Sequence, residues 1–312
     1  MEVQVALTTS AEPPRRERSA LKRAFTKEAL TAWLFILPSF VGFFFFYALP
    51  AFRGLMISFT DWNLLRDPNP VGLANYERML ADPLFWNALR VTGLYVLANI
   101  PIQTVLGLLL AVLMSRLTTS MFVRGTLILP YLMSNVIVAL MWLWLLDPLL
   151  GFGNALLQML GFSRQPFFGS PDQAIWTIAA VNIWRHMGFT ALLFYAGMQG
   201  IPGSLYEAAR IDGASENRMF WNITLPLLRP VTVFVLVTSL IGSFQIFDTV
   251  AVTTQGGPVN ATRVLVWYIY ENAFQFSNMG YATALSMTLF AILIVITLLQ
   301  LRFLRSDQSD LA

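Results

Sequence analysis

Six intervals of this chain are apolar and contain at most one charged residue. They are residues 29–52, 91–115, 125–146, 173–206, 230–247 and 272–301. A helix needs about 20 apolar residues, within a range of roughly 17–25, to cross the hydrocarbon layer of a membrane. The pattern predicts an all-α, polytopic membrane protein. Its six predicted transmembrane helices lie near residues 30–52, 89–115, 123–146, 174–199, 228–250 and 281–303.

The composition also favours a membrane protein, with the lipid bilayer as its surroundings. Of the 312 residues, 56% are hydrophobic and 12% are charged, whereas soluble domains carry about 25% charged residues. The net charge of +3 gives no support for a nucleic-acid partner. The absence of cysteine excludes disulfides, thiolate metal ligands and cysteine nucleophiles.

Lysine and arginine residues determine the predicted orientation. They are more frequent in the segments that face the cytoplasm when the N-terminus is inside, and this bias marks the cytoplasmic side. Residues 1–28 are then predicted to be a cytoplasmic tail without a signal peptide. Residues 29–305 form the predicted transmembrane domain, and residues 306–312 form a second cytoplasmic tail.

A polar stretch, residues 204–226, separates the fourth and fifth predicted spans and lies in the cytoplasm in this orientation. Ser204 stands three residues before Glu207, which is the spacing of a capping box at a helix start. The helix is predicted to run to Asp212, and Gly213 supplies the backbone freedom for a bend. The stretch is therefore predicted to form a helix-turn-helix.

The second helix of this stretch is predicted to run from Ser215 to Ile223 and to end before Pro226, because proline breaks a helix interior. The small side chains of Ala208 and Ala209 in the first helix would let the surface of another protein approach closely. An ordinary solvated loop between two spans is the alternative interpretation.

A longer sequence pattern favours the helix-turn-helix interpretation. The pattern starts with Glu207-Ala208-Ala209, and Gly213 follows after three further residues. Ile223 follows after nine more residues, and Leu225-Pro226 after one more. This pattern resembles the EAA signature of permease subunits of binding-protein-dependent ABC importers. Five segments are similar to the carbohydrate-uptake branch, the MalF-like permeases: FWNALRVTGLYV at 85–96, RGTLILPYLMS at 124–134, WLLDPLLGFGN at 144–154, AGMQGIPGSLYEAARIDGAS at 196–215 and FQIFDTVAVTTQGGP at 244–258.

The resemblance implies the type I permease fold of ABC importers and a bacterial-type inner membrane, with both termini in the cytoplasm. It implies that the chain forms half of a sugar pathway, with a second permease subunit, usually a different chain, as the other half. Two ATPase subunits would carry the ATP and magnesium, and an extracytoplasmic sugar-binding protein would deliver the substrate.

By the same resemblance, the helix-turn-helix passes the ATP-driven closure of the ATPase pair into the bilayer. Glu207 would be its polar anchor, and Gly213 would be the bend that aims the first helix. The residues that the resemblance assigns to ATPase coupling are Glu207, Ala208, Ala209, Gly213, Ile223, Leu225 and Pro226.

The chain itself is not expected to be an enzyme or to bind a cofactor. A phosphate-binding loop needs the pattern G-x-x-x-x-G-K-[ST], and neither of the only lysines, Lys22 and Lys27, follows such glycines. His186 is the only histidine, and Thr190 rather than a second ligand stands four residues later. We therefore expect neither a metal site nor a catalytic triad, and we interpret His186 as a polar group in the bundle or in a cavity.

Polar residues that share helix faces are the candidates for a substrate pathway, because sugars need neutral hydrogen-bonding partners and flat aromatic faces. In the second span, Asn99 and Gln103 continue a stripe that begins with Thr92 and Tyr95. Such a stripe either lines a path or forms hydrogen bonds between helices. The predicted pathway residues are Asn99, Gln103, Asn135, Asn182, Arg185, Ser239, Ser243, Phe244 and Gln245.

Arg185 lies near the middle of the fourth predicted span, on the same helix face as Asn182 and Phe189. We interpret it either as part of a cavity wall or a residue paired across the bundle, or as a structural residue. In the structural case it forms an ion pair, with Asp248 as the candidate partner, or it snorkels towards the membrane surface. The alternative function is an ion-coupled secondary transporter, which would need carboxylates within the membrane. The spans hold no Asp or Glu at mid-depth, since Asp248 lies near an end, and this argues against that class.

Prolines interrupt three of the predicted spans, at Pro38, Pro101 and Pro130. A proline is tolerated in a transmembrane helix where neighbouring groups satisfy the freed carbonyl oxygens. We interpret the three prolines either as bends for a rocking motion or as irregularities of packing.

Overall fold

The computed structural model describes residues 27–117 and 120–304 of the chain. These residues form helices, with no strand among them. The predicted tails, residues 1–28 and 306–312, lie outside the described residues except for the first two residues of the first helix. The chain divides after Gly54 into two compact units, and the second unit contains all the sites described below.

The helices succeed one another with short connections. In chain order they are α1 (Lys27–Phe43), α2 (Leu49–Ile57), α3 (Ala74–Ala81), α4 (Pro83–Leu117), α5 (Met121–Leu132), α6 (Asn135–Leu145), α7 (Phe152–Met159), α8 (Ala174–Gln199), α9 (Gly203–Ile211), α10 (Glu216–Met219), α11 (Leu225–Leu227), α12 (Arg229–Phe244), α13 (Asp248–Thr253), α14 (Leu265–Tyr270) and α15 (Met279–Leu304). Three π-helical turns, Phe44–Ala48, Phe220–Thr224 and Glu271–Gln275, join neighbouring helices.

Several of these helices are long and apolar enough to cross a membrane. Among the described residues, four segments meet this condition, and the pair α5 and α6 makes a fifth if it counts as one span. The four are Leu30–Ile57, Pro83–Arg116, Arg229–Thr253 and Met279–Phe303. Helix α8 has the predicted bounds of the fourth span, but Asn182, Arg185 and His186 at its centre make it less apolar. The all-α, polytopic prediction is confirmed, and the count of six spans stays a prediction.

Helix α4 begins at Pro83 rather than near residue 89, because its start signals precede the apolar interval. Proline is favoured in the first turn of a helix, and the Asp82 carboxylate accepts a hydrogen bond from the backbone N–H of Leu84 (2.8 Å). The same carboxylate accepts hydrogen bonds from the hydroxyls of Tyr268 and Tyr281. Burial alone would raise the pKa of Asp82, but these hydrogen bonds hold it below its ordinary value.

The third predicted span, residues 123–146, is not a single helix. Helices α5 and α6 are bent by 93° relative to each other at a break after Leu132, and Met133 has an extended backbone there. Helix α5 packs along α8, whereas α6 packs along α13. The two halves of this span therefore pack against different helices. The fifth predicted span, residues 228–250, is also interrupted, between Phe244 at the end of α12 and Asp248 at the start of α13.

Helices α4 and α8 form the most extensive helix pair of the bundle. Small residues allow the close approaches around α8. A Cβ atom on Gly107 of α4 would lie 2.5 Å from Cγ2 of Thr190, and a Cβ atom on Gly188 would lie 1.8 Å from the carbonyl oxygen of Leu127 in α5. Helix α8 is therefore the central helix against which α4 and α5 pack.

Candidate functional site

A cavity of about 380 Å³ lies between α4, α8, α12 and α13, beside the break between α5 and α6. Most of the predicted pathway residues line it: Asn99, Gln103, Asn135, Asn182, Ser239, Ser243 and Gln245. The predicted helix faces therefore do converge on one space, although no sequence pattern indicated how the separate stripes meet.

Amide and hydroxyl groups form a hydrogen-bonded network along one wall of the cavity. The Asn99 side-chain amide donates to Oγ of Ser243 (3.0 Å) and to Oε1 of Gln103 (3.2 Å). The Gln103 amide donates to Oγ1 of Thr190 (3.0 Å) and to Oγ of Ser239 (3.3 Å). The network connects α4 to both α8 and α12. The polar stripe of α4 therefore does both of the things expected of it: its residues form hydrogen bonds between helices, and they line the cavity.

Two further amides connect α13 to the rest of the cavity wall. The Asn182 amide of α8 donates to Oγ1 of Thr249 (3.3 Å), and the Asn135 amide of α6 donates to Oδ2 of Asp248 (2.7 Å). Asp248 also lines the cavity. Its position in the sequence suggested the end of a span, but the break after α12 brings its carboxylate to the cavity wall.

Arg185 does not line the cavity, but it is bonded across the bundle, from α8 to the end of α5. Its Nη2 group donates to the backbone carbonyl oxygens of Tyr131 (3.0 Å) and Met133 (2.9 Å). Among the described residues it has no ion pair. The reason is the break in the third span, which leaves the carbonyl groups at the end of α5 without helical partners. Arg185 therefore caps a helix end inside the bundle.

His186 lines the cavity, in agreement with its interpretation as a polar group there. Its Nδ1 atom lies 2.9 Å from the carbonyl oxygen of Asn182, and a carbonyl oxygen only accepts hydrogen bonds. Nδ1 therefore carries the proton, and Nε2 accepts from Nη1 of Arg185 (3.0 Å). The imidazole thus connects the cavity wall to the arginine that caps α5.

The aromatic part of the cavity wall differs from the prediction. Phe244 is buried in the apolar core and does not line the cavity, because it lies about 100° around α12 from its neighbour Ser243, which does line it. The rings of Tyr131 and Phe189 line the cavity instead, stacked 4.3 Å apart with an interplanar angle of 8°. The sequence contained a signal for one of these rings, because Phe189 shares a face of α8 with Asn182, which was a predicted cavity residue.

The stretch 204–226 forms the predicted helix-turn-helix, which we call the hairpin. Gly213 has a φ of +76°, so the bend uses the left-handed backbone that favours glycine. The first helix, α9, ends at Ile211, one residue before the predicted Asp212, and Ser204 is not its cap. The residue before the helix is Pro202, and no side chain caps this end. Backbone geometry at the proline, rather than a capping box, sets the start.

The second helix of the hairpin is capped by Ser215, whose hydroxyl accepts a hydrogen bond from the backbone N–H of Arg218 (3.4 Å). The prediction that it ends before Pro226 is wrong. Helical backbone continues through the π-helical turn and α11, and only a turn at Leu228 separates it from α12. Pro226 lies in α11 directly after the π-helical turn, and the helical backbone continues through it.

The hairpin is held to the bundle at its base and is exposed at its tip. Tyr206 and Ile223 pack against the apolar cluster around Leu228 in the bundle, and within the hairpin the Tyr206 hydroxyl lies 2.9 Å from Oγ1 of Thr224. Glu207, Ala208 and Gly213 are exposed, whereas Ala209 is half-buried. Glu216 pairs with Arg210 and with Arg116 at the end of α4. The tip thus offers an exposed surface that the bundle does not cover.

Titratable groups do not gather into a metal site in the part of the chain that the structure describes. No group of three or more His, Asp or Glu residues there is arranged to hold a metal ion.

Comparisons with known proteins agree with this architecture. Residues 103–306 match the family described as "Binding-protein-dependent transport system inner membrane component". The chain is 34% identical to the probable ABC transporter permease protein YesP of Bacillus subtilis, over 89% of this chain and 91% of the relative. It is 33% identical to the trehalose/maltose transport system permease protein MalF of Thermococcus litoralis, over 88% of this chain and 94% of the relative.

A solved structure shows the same fold. It is a chain of a bacterial ABC transporter involved in the import of the acidic polysaccharide alginate, with a TM-score of 0.76. The identity is 24%, and the match covers 93% of this chain and 99% of that chain. The predicted permease fold is therefore confirmed.

Proposed function

This chain belongs to the family of inner membrane components of binding-protein-dependent transport systems, and we propose that it forms half of the pathway of an ATP-driven sugar importer. A second permease subunit, usually a different chain, forms the other half. An extracytoplasmic sugar-binding protein delivers the substrate. The membrane is a bacterial-type inner membrane, with both termini of the chain in the cytoplasm. The trehalose/maltose relative supports a carbohydrate substrate.

The observation that carries the sugar assignment is the chemistry of the cavity wall. Neutral amide and hydroxyl side chains line the cavity, among them Asn99, Gln103, Ser239 and Ser243. Such groups donate and accept hydrogen bonds, so they can pair with the hydroxyl groups of a sugar. The stacked rings of Tyr131 and Phe189 offer a flat apolar face for the C–H groups of a sugar. The volume lies within the ~300–1,000 Å³ of common ligand pockets.

The exposed tip of the hairpin supports its role as the contact with the ATPase subunits, which carry the ATP and magnesium. Glu207 and Ala208 lie on one exposed helix, and Gly213 sets its direction by its left-handed backbone. The base of the hairpin continues into α12, and α12 carries Ser239 and Ser243 of the cavity wall. A displacement of the hairpin would therefore reach the cavity along one nearly continuous helix.

Family membership argues against the ion-coupled transporter, because an ion-coupled carrier needs no binding protein. Asp248 does line the cavity, but its carboxylate accepts a hydrogen bond from Asn135, so it is a structural partner of α6. We assign it no role in ion binding.

Co-purification tests the ATPase partner. From cells that also express the ATPase, the detergent-extracted chain is expected to bring down ATPase subunits. Glu207→Lys is expected to lower the sugar imported per ATP hydrolysed severalfold, because it reverses the charge of the exposed anchor. Glu77→Lys, at an exposed position on α3, is the matched control. Purification without an ATPase, or normal uptake by Glu207→Lys, would contradict the assignment.

Uptake into proteoliposomes tests the substrate class. The system's binding protein is loaded with neutral sugars, polyols or sugar phosphates in turn, and uptake of each is measured. With the preferred sugar, Asn99→Leu is expected to lower uptake about tenfold, which corresponds to the loss of one hydrogen bond of ~1.4 kcal/mol. Thr104→Val is the control, because Oγ1 of Thr104 has no partner. If no carbohydrate supports uptake, the sugar assignment is wrong.

A further inference from the structure

The segment between α6 and α8 contains an apolar stretch that crosses no membrane. Residues 148–163, PLLGFGNALLQMLGFS, hold no charged residue, and Asp147 and Arg164 flank them. Sixteen residues that include three polar ones and a short helix are too few for a span. Apolar stretches of somewhat less than span length are typical of buried helices, re-entrant segments and segments at the membrane interface. Burial distinguishes between these cases.

Helix α7, inside this stretch, has a buried asparagine on its inner face and large apolar side chains on its outer face. Asn154 is 2% exposed, and its side chain forms hydrogen bonds with both the backbone N–H and the carbonyl oxygen of Gln165 (2.8 Å each). Phe152, Leu156 and Met159 lie on the opposite face and are exposed, Met159 to 84%. A surface helix of a soluble protein has the reverse arrangement, so this helix is not built to face water.

The turn before α7 extends the same apolar surface. The Asp147 carboxylate accepts hydrogen bonds from the backbone N–H groups of Leu149 (2.9 Å) and Leu150 (2.8 Å), and these bonds hold the pKa of Asp147 below its ordinary value. The leucine side chains point outwards, Leu150 with 88% exposure. After the helix, Phe162 is exposed as well. We call this surface, made by the exposed apolar residues of 149–162, the apolar patch.

We propose that the apolar patch lies in the interfacial layer of the bilayer, with α7 parallel to the membrane plane and its apolar side towards the acyl chains. Two observations favour lipid over a protein partner. The patch carries no charged residue that could fix the register of a partner. The helices on either side of it in the chain also carry exposed tryptophans at their adjoining ends, Trp144 in α6 and Trp176 in α8, and exposed tryptophans concentrate at membrane interfaces. The proposal depends on membrane insertion and not on the identity of the sugar.

Spin labelling tests this placement, and the absence of cysteine provides a clean background. Single variants Leu156→Cys, Met159→Cys and Gln158→Cys are labelled in proteoliposomes, and the collision rates with oxygen and with a water-soluble nickel chelate are compared. Leu97→Cys, at an exposed position within α4, is the lipid reference. The labels at 156 and 159 are expected to favour oxygen severalfold more than the label at 158.

Each other outcome contradicts the proposal. Strong nickel collisions at positions 156 and 159 would place the patch in water. Immobilised labels with low rates for both reagents would place it against another protein, such as the second permease subunit. Monodisperse elution of each labelled variant in detergent checks its fold, and sugar transport by the same variants tests the proposed function separately. Loss of transport with an unchanged oxygen preference would therefore affect only the proposed function.

Discussion

The cavity and the hairpin use polar residues in opposite ways. In the cavity, Asn99 and Gln103 are buried, and their amides bond to hydroxyl groups on α8 and α12. In the hairpin, Glu207 is exposed, and Glu216 forms two ion pairs between exposed side chains, which contribute little to stability. We therefore expect the stability of the bundle to depend on the buried residues and the proposed coupling to the ATPase to depend on the exposed ones. Substitutions in the two regions should therefore affect different measurements.

The largest effect on stability is expected at Gly188, in the helix that forms the cavity wall. In Gly188→Ala the new Cβ atom would meet the carbonyl oxygen of Leu127 at 1.8 Å, so α5 has to move away from α8. We expect a loss of at least about 3 kcal/mol, the upper part of the usual overpacking range, measured as a lower thermal denaturation midpoint in detergent. Gly125→Ala on α5 is the control, because its Cβ has open space. Equal midpoints for the two variants would contradict the close approach.

The next effect is expected at Arg185, which caps α5. Arg185→Leu leaves the carbonyl oxygens of Tyr131 and Met133 without their donor, and hydrogen bonds from a charged group contribute about 1.5–3 kcal/mol. We expect a loss of about 2–3 kcal/mol and a broader distance distribution between spin labels on α5 and α6. Arg185→Lys keeps the charge without the planar guanidinium. Its stability should lie between those of the wild type and Arg185→Leu. An unchanged distribution in Arg185→Leu would show that the break holds without the cap.

A smaller effect is expected from the network itself. Gln103→Leu removes the donor to Thr190 and Ser239, and hydrogen bonds between membrane helices contribute roughly 0.6–2 kcal/mol. The thermal midpoint should fall by the equivalent of about 1–2 kcal/mol. The neighbouring Thr104→Val is the control, since it removes a hydroxyl that has no partner. If both variants behave alike, the network adds nothing to stability.

Sequence periodicity predicted the cavity well where the helices are continuous. Steps of four residues place Asn99 and Gln103 on one face of any helix, and both line the cavity. The predictions failed for a residue outside these stripes and at a helix end. Phe244 follows Ser243 but faces the core, and Arg185 bonds to the end of α5. Periodicity carries no information about where a helix ends. Nor does it show which group then donates hydrogen bonds to the carbonyl groups that the helix end leaves unpaired.

The two prolines of the second and third spans show why these ends were not predictable. Helix α4 contains Pro101 and continues to Leu117, whereas α5 contains Pro130 and ends two residues later. Both prolines lie within apolar intervals, and the local sequence provides no reason to expect a break at one and not at the other. They differ in tertiary surroundings, because Arg185, more than 50 residues away in the chain, donates to the carbonyl groups at the second break. The hairpin, by contrast, was predictable because its bend depends on one local residue, Gly213.

The smallest effect on stability is expected in the hairpin, together with a clear effect on transport. Gly213 has a φ of +76° with open space around it, and the left-handed backbone costs other residues about 1–2 kcal/mol. In Gly213→Val this cost shifts the bend. The thermal midpoint in detergent should stay unchanged, because nothing packs around Gly213 and the Arg116–Glu216 pair at the tip is exposed. The sugar imported per ATP hydrolysed should fall.

Two further variants sharpen this prediction. Gly213→Asn should keep most of the coupling, since asparagine tolerates the left-handed backbone. Gly203→Ala, at the start of α9 with open space around it, should behave like the wild type. A lower midpoint in Gly213→Val would mean that the hairpin belongs to the cooperative core after all, and the separation between the two regions would be lost. Equal loss of coupling in the valine and asparagine variants would instead assign the effect to the exposed surface at position 213 rather than to the bend.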